Sequence, residues 1–277
     1  MADLKIAFFG DAVGNPGRRA IASAIPKLKA SHGVSLFIAN GENSRNGSGI
    51  SQENFREMLR SGLHAVTLGD HCYKDRHIIP MLDDPDQPIA RPANLSLDAP
   101  GKRHIVLRPP GAPPIGIITV MGRIFMPLPT DNPFAAVDRE IGAIAEGGAR
   151  DALVIVEIHG ETTSEKQAMA YYCLERHAST SGPRVVAVVG SHTHVQTADS
   201  RIIDHTLAAI TDLGMCGPHR SVIGRDIQAT LAAMVRQTPA PLDVASDDNR
   251  ACGVVVTVDL NGRRASAVEA FAISIAD

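Results

Sequence analysis

Val185-Val186-Ala187-Val188-Val189-Gly190-Ser191-His192-Thr193-His194 is the stretch that decides the fold. Its first five residues are a short apolar run rich in β-branched side chains, the mark of a strand buried in a sheet. A glycine then turns the chain and two histidines follow, one residue apart. Imidazole is the commonest ligand for borderline ions such as zinc, iron and manganese. A strand that closes on a His-x-His pair therefore carries metal-ligand side chains to a sheet edge.

Working outward, short apolar runs alternate with helical patterns. Runs at 4–9, 34–39, 65–68, 88–93, 104–107, 115–120, 153–158 and 207–210 predict further strands. Residues 16–30, 51–61, 134–146, 164–176 and 227–237 predict helices. Pro16 falls in a first turn, where a missing N–H costs least, and Gly147-Gly148 closes the helix before it. Residues 253–258 and 265–273 predict a closing hairpin around Asn261-Gly262. Alternation of this kind specifies an α/β domain. The last strands are less helix-linked, which predicts mixed sheets rather than one parallel sheet. One domain over 1–277 is expected, with 218–249 an excursion that serves as a cap or an oligomer contact.

Five strands end in metal-ligand residue types. The ends are Gly10-Asp11, Asn40-Gly41-Glu42-Asn43, Gly69-Asp70-His71, His159, and the pair His192 and His194. In α/β sheets ligands collect outside the carboxyl ends of strands. Asp11, Glu42, Asn43, Asp70, His159, His192 and His194, with His71 beside them, are too many donors for one tetrahedral structural ion. They suit two five- or six-coordinate ions with a carboxylate spanning both. Two ions roughly 3.5–4 Å apart can clamp a phosphate and acidify a shared water. Each residue has a plainer reading: Asp11 as a helix cap, Glu42 and Asn43 as turn residues, Asp70 and His71 as a surface pair, His159 as a core histidine. Their joint occurrence at successive strand ends favours metal.

Composition narrows the classes. With 44% apolar and 21% charged residues, the chain can build an ordinary core. A net charge of −3 argues against a general nucleic-acid or membrane surface. No apolar run approaches the ~20 residues needed to span a bilayer. The first residues show no charged-then-apolar leader. Cys72, Cys173, Cys216 and Cys252 form no Cys-x-x-Cys pair and read as reduced thiols of a cytoplasmic protein. Cys72 adjoins His71, but sequence neighbours tend not to face each other, so no cysteine nucleophile is assigned. Residues 46–49 lack the Gly-x-x-x-x-Gly-Lys pattern of a P-loop.

Six blocks together resemble the calcineurin-like metallophosphoesterase superfamily, and more closely its bacterial YmdB-type 2′,3′-cyclic-nucleotide 2′-phosphodiesterase family. They are Phe9-Gly10-Asp11-Ala12-Val13-Gly14, Ala39-Asn40-Gly41-Glu42-Asn43, Arg91-Pro92-Ala93-Asn94, His159-Gly160-Glu161-Thr162-Thr163-Ser164-Glu165-Lys166, His192-Thr193-His194-Val195-Gln196-Thr197-Ala198-Asp199 and Thr211-Asp212-Leu213-Gly214-Met215. The resemblance implies a four-layer α/β/β/α sandwich with mixed sheets. It implies two divalent metal ions, iron or manganese first, with magnesium or zinc also compatible. It implies hydrolysis of cyclic nucleotides, 2′,3′ first and 3′,5′ second, by a metal-bridging hydroxide. Asp11 and His194 would bind the first ion, with Asn43 close to it. Glu42 would bridge, and Asp70, His159 and His192 would bind the second ion. His71 would protonate the leaving oxygen. Thr162, Ser164, Tyr73 and His219 are candidate substrate contacts. The expected partners are a small phosphodiester and further copies of the chain in a homo-oligomer.

The chain departs from the family in one place: it has Gly-Asp-His at 69–71 where the family usually has Gly-Asn-His. The added negative charge predicts tighter cation retention and a less electrophilic metal. That departure keeps a rival open, a regulatory protein that binds nucleotide and metal with little turnover. A phosphomonoesterase and a metal-dependent amide hydrolase are further rivals.

Overall fold

In the computed structural model, which describes residues 3–275, the apolar runs become thirteen strands in two sheets. In chain order they are β1 (Asp3–Ala12), β2 (Leu36–Asn40), β3 (Ala65–Thr67), β4 (Ile89–Ala90), β5 (His104–Leu107), β6 (Ile115–Met121) and β7 (Leu153–His159). There follow β8 (Arg184–Ser191), β9 (Arg201–Ile203), β10 (Leu207–Ile210), β11 (Met215–Pro218), β12 (Asn249–Asp259) and β13 (Arg264–Ser274). The helices are α1 (Gly14–His32), α2 (Gln52–Arg60), α3 (Ile79–Asp83), α4 (Pro133–Glu146), α5 (Thr163–His177) and α6 (Ile227–Arg236).

One sheet has the order β13-β12-β11-β1-β2-β3-β4, the other β5-β6-β7-β8-β10-β9. Both are mixed. β1 runs parallel to β2 and β11 and antiparallel to β12. β6, β7, β8 and β10 run parallel, with antiparallel β5 and β9 at the edges.

Side chains alternate across a strand, and that alternation builds three cores. Ile6, Phe8, Leu36 and Ile38 of the first sheet meet Ile115, Ile117, Leu153, Ile155 and Val189 of the second. Ala7, Phe9, Phe37 and Ala39 point the other way and pack with Ile21, Leu28, Phe55 and Met58 of α1 and α2. Ile118, Val120, Val154, Val156 and Ile158 pack with Val137, Ile144 and Met169 of α4 and α5. The result is helix, sheet, sheet, helix, the layering the resemblance implies.

The expected run at 88–93 shortens to Ile89–Ala90. Pro88 and Pro92 lack the N–H a ladder needs. Between β11 and β12 the chain leaves the sheet at Pro218 and returns at Asn249, as the excursion was expected to do. Arg225 ties this segment back: its guanidinium donates to the carbonyls of Asn46 (2.9 Å), Gly47 and Leu242 (2.8 Å).

Candidate metal centre

The carboxyl ends of β1, β2, β3, β7 and β8 converge, and strand parity decides which side chains enter. In β1 the register passes from Phe9 opposite Ala39 to Asp11 opposite Asn40, so Gly10 is an extra residue. A bulge of this kind re-aims the next side chains along the strand. Ala7, Phe9 and Ala12 all pack on the helix side, so Asp11 turns to the inner face, between the sheets. The strand end Gly69 must be glycine: a Cβ there would overlap the His159 ring and the Glu42 carboxylate.

Glu42, Asp70, His159 and His192 offer ligand atoms that all lie within 4.8 Å of one another. His159 Nε2 is 3.2 Å from Glu42 Oε1 and 3.0 Å from Asp70 Oδ1. His192 Nδ1 is 3.1 Å from His159 Nε2 and 3.3 Å from Asp70 Oδ1. Glu42 leads to a second group. Its Oε1 accepts from Asn43 Nδ2 at 3.3 Å, and Asn43 Nδ2 is also 3.2 Å from His194 Nε2. His194 Nε2 lies 3.9 Å from Asp11 Oδ1. His194 Nδ1 donates to the Ile223 carbonyl at 2.9 Å, which leaves the Nε2 lone pair facing the site.

His71 stands over the junction. Its backbone N–H donates to Glu42 Oε2 at 3.0 Å, and its Nδ1 is 2.7 Å from Asn43 Oδ1. The ring is 29% exposed, enough for its Nε2 edge to meet a solute.

The electrostatics call for a cation. Asp11 Oδ1 is buried and has no hydrogen-bond partner. Leaving such an oxygen unpaired costs about 1–3 kcal/mol or more. Burial, opposed by His159 and reinforced by Glu42, Asp212 and Glu157, pushes the Asp11 carboxyl up to about 7. Burial also works against Glu42, yet the charge and hydrogen bond of His159 hold it below its ordinary value. Asp70 is likewise penalised by burial, but hydrogen bonds with His159 and His192 hold it far below the usual carboxylate range. Burial would strip the His159 proton; Glu42, Asp70 and Asp11 keep it well above its ordinary pKa. Burial lowers His194, which favours the neutral, ligating form. The nitrogen and oxygen donors, without thiolate, and the orphaned Asp11 oxygen fit divalent cations.

All seven residues expected as ligands, and His71, are thus brought together. The four candidate substrate contacts are engaged elsewhere. The Thr162 hydroxyl donates to Glu165 at 3.0 Å, and the Tyr73 hydroxyl to the Pro100 carbonyl at 2.5 Å. His219 Nε2 lies 3.3 Å from the Met215 carbonyl and 3.6 Å from Cys252 Sγ, and Ser164 is exposed in the first turn of α5. Sequence reasoning assigned no role to Glu161, whose Oε2 is 3.3 Å from His192 Nε2. Nor did it single out Glu157 or Ser191, which lie behind His159. Each is a lone polar residue with no spacing partner; their only signal is position next to a ligand.

The comparisons with known proteins agree with this geometry. The YmdB-like protein family matches residues 7–271. The chain is 35% identical over 271 residues to a Bacillus subtilis (strain 168) protein named 2′,3′-cyclic-nucleotide 2′-phosphodiesterase, covering 98% of this chain and 97% of that protein. It superposes with a TM-score of 0.87 on a crystal structure described as a novel phosphatase from Mycoplasma pneumoniae, at 30% identity, covering 99% of this chain and 94% of that one. A 5′-nucleotidase precursor from Thermus thermophilus shares the metallophosphoesterase fold, with a TM-score of 0.55 at 15% identity, over 99% of this chain and 55% of that one. The chain belongs to the YmdB-like protein family and is a hydrolase of the metallophosphoesterase type.

Proposed function

We propose that the chain is a phosphodiesterase that opens cyclic nucleotides, 2′,3′-cyclic first and 3′,5′-cyclic second, at a centre for two divalent ions. The observation that carries this is the pair of adjoining donor groups. Glu42, Asp70, His159 and His192 form one, and Asp11, Asn43 and His194 border it through Glu42. Iron or manganese suits such nitrogen and oxygen donors, and magnesium or zinc is compatible. When bound, the ions supply positive charge to the phosphoryl oxygens and acidify the attacking water.

The residues of the chain do the rest. Asp11 and His194 hold one ion, Asp70, His159 and His192 the other, and Glu42 joins them. His71 protonates the leaving alkoxide. Asn43 orients it, since its Oδ1 accepts from Nδ1 and so turns Nε2 outward. Both sheets contribute ligands, which supports one domain over 1–277. The excursion at 218–249 acts as a cap, because its Ile223 carbonyl sets His194. Leu231, Met234 and Val235 stand exposed on α6 and support a homo-oligomer contact there. Four buried free cysteines support a reducing compartment, the cytoplasm. Among the described residues no helix is long and apolar enough to cross a membrane.

The test is to strip the protein with chelator, reload it with Mn²⁺, count bound ions, and assay 2′,3′-cyclic AMP, 3′,5′-cyclic AMP and p-nitrophenyl phosphate. Two ions per chain, with fastest hydrolysis of the 2′,3′-cyclic substrate, are expected. His71→Ala should lower that rate by about 10²–10⁴-fold while keeping both ions. Full metal loading with no turnover of any phosphate ester would instead leave a binding protein.

A further inference from the structure

Glu157 is a fully buried carboxylate with no part in the chemistry above. It sits in β7 two residues before His159, on the same inner face, where Leu153 and Ile155 continue the apolar core. Its immediate neighbours Val156 and Ile158 show what an ordinary β7 residue is. A buried acid is costly unless donors surround it. Here three do. Glu157 Oε1 accepts from Ser191 Oγ at 2.6 Å and from Asn40 Nδ2 at 2.8 Å, and Oε2 accepts from Thr119 Oγ1 at 2.9 Å. These donors come from β8, β2 and β6, so one side chain ties strands of both sheets directly behind the cluster.

Two arms run forward from it. Ser191 gives its only hydroxyl hydrogen to Glu157, so it meets His159 Nδ1, 2.9 Å away, with a lone pair. The proton therefore stays on Nδ1, and Nε2 faces Glu42 and Asp70. Asn40 gives its amide to Glu157, which leaves its Oδ1 to accept the Glu42 backbone N–H at 3.0 Å. That bond fixes the turn that aims Glu42.

We infer that Glu157 is a positioning residue: through Ser191 and Asn40 it presets His159 and Glu42, one from each sheet, to share a divalent cation. The inference rests on the metal-centre reading of this cluster. Its test reads metal binding rather than turnover. Chelator-stripped protein is titrated with Mn²⁺, and free ion is followed by electron paramagnetic resonance. Glu157→Met keeps the bulk and removes both acceptors. It should weaken Mn²⁺ binding by about 10–100-fold, the usual effect of removing a ligand's outer partner. Glu157→Gln keeps an acceptor for Ser191 and Asn40 and should lose less. Glu140→Gln is the control for a merely structural acid. Glu140 is equally buried but bonded to His104 and Arg139, and its variant should lose thermal stability while binding Mn²⁺ like the parent.

Folded Glu157→Met that binds Mn²⁺ as tightly as the parent overturns the inference and leaves the metal centre standing. A parent chain that takes up no Mn²⁺ overturns both. Where Glu157→Met does not fold, Ser191→Ala is read by the same criterion.

Discussion

Asp70 is the residue at which this chain differs most from what its family resemblance implies. Its Oδ1 lies 3.0 Å from His159 Nε2 and 3.3 Å from His192 Nδ1, and its Oδ2 3.6 Å from His71 Nε2. A carboxylate here donates more charge to a bound ion than an amide would. Retention should therefore be stronger and Lewis acidity weaker. Asp70→Asn is expected to keep both ions, hold the second less tightly, and raise turnover. Mn²⁺ titration beside steady-state kinetics checks this, and unchanged metal content with an unchanged rate would show that Asp70 is no ligand. The ligands were legible because each interrupts an apolar run with a polar residue at its carboxyl end, where parallel strands deliver side chains to one edge. Glu157 was not, because it lies within such a run and its meaning depends on Asn40, 117 positions away.

At the scale of elements, the turn after β8 carries the strain. His192 has φ 99° and His194 φ 67°, both in the left-handed region that side chains disfavour. Asp212 holds the turn: its Oδ2 accepts the Thr193 hydroxyl at 2.7 Å and the Thr193 N–H at 3.2 Å, and its Oδ1 accepts the Gly214 N–H at 2.8 Å. Lys166 of α5, 2.7 Å from the same Oδ2, is buried with it. Removing one member of a buried ion pair strands the other's charge. Lys166→Met is therefore expected to lower stability by about 3–5 kcal/mol and to weaken Mn²⁺ binding through a looser turn. Urea unfolding of the metal-free protein measures the first effect and titration the second. A loss within about 0.5 kcal/mol, the range of an ordinary surface change, would remove the pair from this role. Most strands and helices could be read from apolar periodicity. β11 could not, because Met-Cys-Gly-Pro has no alternation and exists as a strand only where β1 and β12 frame it, with Asp11 opposite Met215 and Gly217 opposite Arg250.

Across the whole molecule, the donors come together only when both sheets have closed on their shared apolar core. Asp11 and His192 are 181 positions apart, yet the His192 N–H donates to Asp11 Oδ2 at 3.2 Å. An unfolded chain cannot hold that arrangement, so a cation that binds it binds the native state alone. Linkage then fixes the sign: metal raises stability by RT ln(1 + [L]/Kd), about 2.7 kcal/mol at a hundredfold excess over Kd. The thermal midpoint should rise as Mn²⁺ is added to stripped protein and fall again with chelator. Asp11→Ala should abolish much of the rise, since it removes a donor held at the end of β1. That variant also relieves the buried unpaired oxygen, so its metal-free form should unfold no earlier than the parent. His71→Ala should show the full rise, because that ring faces the substrate rather than the ions. A midpoint indifferent to Mn²⁺ in the parent would mean that folding does not create the cation site, and the converging donors would then be no more than a polar seam between the sheets.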